Sequence, residues 1–107
     1  MHWLKKFMDT VNQKINNLDL EEDKSVMEFI DTMDTGLYFG RNADGNDITV
    51  GIEKGIGMRI STYQKNNWIR IMDYYTETDE ITKQKYIVRT ESYEKCGDLE
   101  NENRTNN

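Results

Sequence analysis

The stretch LYFGRNADGNDITVGIEKGIGMRIST, residues 37–62, decides the fold. Apolar residues recur at alternate positions on both sides of two turn clusters, and a period of two belongs to β-strands. The first cluster, Ala43-Asp44-Gly45-Asn46, holds an Asp-Gly pair of the kind favoured in two-residue hairpins. A turn of that length sets Phe39 opposite Val50 and Leu37 opposite Ile52. A three-residue loop at Lys54-Gly55-Ile56 then pairs Ile52 with Met58 and Val50 with Ile60.

The same pattern continues outward. A turn around Lys65-Asn66 sets Tyr63 against Trp68 and Ile60 against Ile71, and one near Asp79-Glu80 sets Ile71 against Val88. Five strands, at 37–42, 47–53, 57–64, 68–77 and 83–93, form an antiparallel meander. On the N-terminal side the period becomes helical. Trp3, Leu4, Phe7, Met8, Val11, Ile15 and Leu18 share one arc of a helix over 3–18. Asp19 and Glu22 resemble a capping box opening a second helix over 20–34, with Val26, Met27, Ile30 and Met33 buried and Gly36 as its left-handed terminator. The expected class is α+β: two N-terminal helices packed on one face of a five-stranded antiparallel β-meander. Residues 1–93 form a single domain, and the polar stretch 94–107 is read as a flexible, disordered tail.

Composition bounds the chemistry. A chain of 107 residues suits one domain. It has no run of about 18 apolar residues to span a membrane and no secretory leader. The single cysteine, Cys96, has no partner for an internal disulfide, which fits a cytoplasmic setting. A net charge of −6 disfavours sequence-independent binding to nucleic acid. One alanine and no proline, amid abundant Asn, Lys, Ile, Glu and Tyr, point to AT-rich coding DNA and so to a low-GC bacterium or its phage.

Catalytic groups are sparse. The one histidine, His2, stands beside the first residue, and Cys96 lacks a paired base. Asn42 to Glu53 alternates oxygen-bearing residues as a calcium loop does, but Asp47 stands where the turn requires glycine, and a strand follows instead of a helix. Gly51, Gly55 and Gly57 lack a phosphate-loop spacing and read as strand and turn glycines, with Gly51 beneath the ring of Tyr38. Trp3 and Phe7 with Lys5, Lys6 and Lys14 would suit a membrane-surface helix, yet the sheet needs that helix as a cover. No enzyme activity, cofactor, metal or membrane is expected.

One register assigns both faces of the sheet. The first carries Leu37, Phe39, Ile48, Val50, Ile52, Met58, Ile60, Ile69, Ile71 and Val88, and is the expected core. The second carries Arg59, Arg70 and Arg89 from adjacent strands among Tyr63, Trp68 and Tyr74, and these six form the expected binding surface. Arginine and aromatic side chains are enriched at protein interfaces. The leading reading is a non-enzymatic protein-binding module, a small regulator or inhibitor carried by a bacterial mobile element or phage. The same groups suit single-stranded nucleic acid, with bases stacked on rings. A third reading, an acidic DNA mimic, rests on Glu21, Glu22, Asp23, Glu28, Asp31 and Asp34. The plain alternative is a solvated face stabilised by aromatic pairs and by contacts from arginine to Glu91.

Overall fold

The computed structural model describes residues 14–95. A helical turn at 14–16 leads to helix α1 (Asp23–Thr32), then to strands β1 (Gly36–Arg41), β2 (Asp47–Glu53), β3 (Gly57–Tyr63), β4 (Trp68–Thr78) and β5 (Lys85–Lys95). The strands form one antiparallel sheet in the order β1-β2-β3-β4-β5, the expected meander. Strand β5 runs two residues past its expected end, to Lys95. The rest of the first predicted helix, with His2, Trp3 and Phe7, lies outside the described residues, as do Cys96 and the remaining tail positions.

Helix α1 is shorter than the sequence suggests at both ends. Asp19 accepts the Glu21 amide at 3.1 Å in a turn that precedes the helix, so it does not close a capping box. Glu22 is the N-cap, and its carboxylate accepts the Ser25 hydroxyl at 2.8 Å. The start is set by tertiary contact: the Asp23 carboxylate accepts the Ile87 amide of β5 at 3.1 Å. At the other end Met33 is already extended, and Gly36 opens β1 without a positive φ. The left-handed terminator expected there is not used, because the Gly55 amide of the β2–β3 turn caps the Ile30 carbonyl at 3.0 Å.

Two strand registers differ from expectation by one residue, for the same reason. Asn42 pairs with Asn46, and the Asn42 carboxamide oxygen accepts the amides of Asp44 and Asn46, each at 3.0 Å. Gly45 takes a φ of 84°, so the loop has three residues and not two. Tyr38, and not Phe39, therefore stands opposite Val50. At the β3–β4 connection Gln64 pairs with Trp68 around Lys65–Asn67, where Asn66 and Asn67 are both left-handed, and Ile60 faces Met72, not Ile71. The last turn closes at Asp79–Gln84. Ile71 then faces Ser92 and Val88 faces Tyr75. The β2–β3 register matches the expected pairs Ile52–Met58 and Val50–Ile60.

A one-residue shift moves a strand's side chains to the other face. The core consequently joins Val26, Phe29 and Ile30 of α1, and Met33 just after it, to Ile48, Val50, Ile52, Met58, Ile60, Tyr74 and Ile87, with Ile15 and Leu18 alongside. Val26, Ile30 and Val50 are fully buried, each worth about 1.5–3 kcal/mol of apolar transfer. Leu37 and Phe39, expected in this core, are 67% and 55% exposed on the opposite face. Ile69, Ile71 and Val88 also lie on that opposite face, where Ile71 is buried as expected, whereas Ile87, expected outside, is in the core.

Candidate functional site

The register divides the six residues expected to form one surface. Trp68, Arg70, Tyr74 and Arg89 lie on the helix-side face, and Arg59 and Tyr63 on the open face. The shared surface therefore does not exist as drawn from the sequence, because the three-residue loop at 65–67 turns β4, and β5 with it, over relative to β3. Tyr74 is core, and its burial pushes the phenol above its ordinary pKa.

Each of these arginines is held within the fold. Arg59 donates two hydrogen bonds to Asp73, at 2.7 and 3.0 Å, in the fork geometry that suits a carboxylate. Arg70 donates to Glu91 at 2.8 Å, the arginine-to-Glu91 contact anticipated for a plainly solvated face. Arg89 pairs with Asp23 at 2.8 Å and donates to the Leu20 carbonyl at 3.0 Å, fastening the start of α1 to β5. These hydrogen bonds raise the Arg59 and Arg70 pKa values. The bond from the Ile87 amide, and next the one from Arg89, hold the Asp23 carboxyl below its usual range.

The open face offers a different site. Across its middle run Leu37, Gly51, Arg59, Asp73 and Thr90, one from each strand, and beside them Glu53, Gly57, Tyr75 and Val88. Gly51 and Gly57 put no side chain on this face, which leaves a groove of about 530 Å³ walled by Leu37, Ile56 and Tyr75, with the Arg59–Asp73 pair at one side. The two glycines arise differently. A Cβ on Gly51 would meet the Leu37 Cδ2 at 3.4 Å, so Leu37 and not Tyr38 lies over it, while a Cβ on Gly57 would stand 2.8 Å from the Tyr74 carbonyl oxygen. Ile56 is 61% exposed. Sequence reasoning missed this groove because it placed Leu37 inside and read the glycines only as turn and strand punctuation.

The charge on this face is unbalanced. Arg41 and Arg59 are opposed by Asp47, Glu53, Asp73, Glu77 and Glu94, with Arg41 paired to Asp47 at 3.0 Å and Arg59 to Asp73. Among the described residues no cluster of three His, Cys, Asp or Glu side chains could hold a metal ion, and no helix is long and apolar enough to cross a membrane. Comparison with protein-family models, with curated proteins and with solved structures finds no match.

Proposed function

We propose that the protein is a small non-enzymatic binding module, a regulator or inhibitor in kind, that docks a protein partner on the open face of its sheet. The observation that supports this most is the groove. Leu37 and Ile56, two large apolar side chains more than 60% exposed, line an apolar groove on the sheet that runs past Gly51, beneath Leu37, and Gly57. Exposed apolar patches of this kind mark interaction sites, and a concave apolar floor accepts the buried anchor residue that dominates interface energetics.

Charge selects the partner. With both arginines of the face already facing acids and the acids in excess, the complementary surface is an apolar anchor in a basic surround. The same balance argues against single-stranded nucleic acid, and Arg59, Arg70 and Arg89 each have their charge matched by a carboxylate of the fold.

Affinity recovery from the native host's lysate tests the reading when wild type is run beside a Leu37→Lys/Ile56→Lys double variant. Both positions are exposed, so circular dichroism and Tm should stay unchanged while the recovered partner disappears. Equal recovery by the variant contradicts the site. Polarisation titration with labelled oligonucleotides should show no binding at low salt, and salt-sensitive binding would favour the nucleic-acid reading instead.

A further inference from the structure

Gly57 leaves a gap in the side-chain rows of the open face. Glu53, Gly57, Tyr75 and Val88 stand abreast on β2, β3, β4 and β5. Neighbouring strands lie about 4.8 Å apart, so Glu53 and Tyr75 flank a place about 10 Å wide from which one side chain is missing. The chain needs glycine there, because a Cβ would stand 2.8 Å from the Tyr74 carbonyl oxygen. Ile56 bounds the place at one end, and Arg59, two residues along β3, bounds it at the other. All of these residues but Val88 line the same groove of about 530 Å³.

The carboxylates nearby are unequally committed. Both oxygens of Asp73 hold Arg59, and Asp47 holds Arg41. Lys54, next in the chain to Glu53, pairs instead with Asp34 at 3.5 Å. The exposed Glu53 carboxylate takes no hydrogen bond or ion pair among the described residues. Across the gap Tyr75 is 38% exposed. A carboxylate and an aromatic ring separated by the width of one side chain offer a cation an ion pair on one side and a π face on the other. Ile56 supplies apolar surface for the methylene stem of that cation. Arg59 opposes it weakly, since Asp73 neutralises its charge.

Arginine fits this place better than lysine does. Its planar guanidinium stacks on rings and presents several N–H groups to a carboxylate, whereas an ammonium is compact and strongly hydrated. We propose that the place over Gly57 is an arginine site. An arginine side chain of the protein partner enters between Glu53 and Tyr75, and a neighbouring apolar residue of the partner rests on Leu37 and Ile56. The inference rests on the open face being the docking surface, and it makes Glu53 the residue that selects a basic partner.

The probe is a capped tripeptide with arginine between two leucines, titrated into the isotope-labelled full chain and followed by amide chemical shifts. Its control carries citrulline, the uncharged isostere, in place of arginine. The arginine peptide should shift the amides of Glu53, Gly57 and Tyr75 along one saturable curve. The citrulline peptide on wild type, and the arginine peptide on Glu53→Gln, should each bind about tenfold more weakly. Tyr75→Leu keeps an apolar wall without the π face and should weaken binding as well, with circular dichroism verifying that both variants are folded. Equal affinity for the two peptides, undiminished affinity in Glu53→Gln, or no shift at these amides overturns the arginine site. Recovery of a host partner separates that result from failure of the docking face. A partner retained by Glu53→Gln but lost by Leu37→Lys/Ile56→Lys overturns the arginine site alone, and a partner retained by both overturns the face.

Discussion

The Asp23 carboxylate accepts the backbone amide of Ile87, 64 residues away, at 3.1 Å. That bond joins the first turn of α1 to the edge strand, and Arg89 completes the link by pairing with the same carboxylate at 2.8 Å. The helix is thereby held over the sheet at its N-terminus, while the Gly55 amide holds its C-terminus.

This link makes stability depend on pH. The Asp23 pKa is lowered in the folded protein, by the Ile87 amide first and the Arg89 guanidinium second. A depressed carboxylate pKa contributes stability that is fully present above the unfolded value and is lost as pH falls through the folded one. Wild type should therefore melt above Asp23→Asn near neutrality, and the difference should close as pH drops below the ordinary carboxylate range. A difference in Tm that is constant from neutral pH to strongly acid pH would mean that the charge is not what fastens the helix.

Gly57 and Gly51 make opposite predictions although both floor the groove. The obstacle to a Cβ on Gly57 is backbone, the Tyr74 carbonyl oxygen at 2.8 Å, which cannot swing aside. Gly57→Ala should cost about 1–3 kcal/mol, the usual range for overpacking. At Gly51 the obstacle is the end of the Leu37 side chain at 3.4 Å, so Gly51→Ala should fall within about 0.5 kcal/mol of wild type. Urea unfolding of the pair measures the contrast.

Thr76 carries the opposite sign. Its hydroxyl oxygen is buried and has no hydrogen-bond partner among the described residues, although the backbone amide of the same residue is bonded to Ile56. An unpaired buried hydroxyl costs about 1–3 kcal/mol. Thr76→Val keeps the β-branched shape while removing that group, and should raise the urea midpoint.

The sheet was legible in the sequence because strand periodicity and turn residues are local signals. The five strands and their order follow from them, and so does the β2–β3 register, where Gly55 makes a three-residue loop evident. Face assignment was not legible beyond that hairpin. It hung on whether Asp44-Gly45 and Lys65-Asn66 were two-residue turns, and the answer lay in Asn42 reaching across to two amides and in the adjacent left-handed Asn66 and Asn67. Each adds one residue to its loop, and one residue is enough to expose Leu37 and Phe39 and to separate Arg59 from Arg70. The grouping of Arg70 with Arg89 survives because β4 and β5 turned over together.

The central claim, that the open face is where a protein partner docks, is tested most directly by photo-crosslinking from a single position. A benzophenone side chain at residue 56, on the groove wall and away from the β1 edge, should yield one discrete adduct with a host protein. The same group at Glu28, exposed on the helix that covers the other face, should yield none. Adducts of equal yield from both positions, or from position 28 alone, would contradict the assignment of the open face as the docking surface.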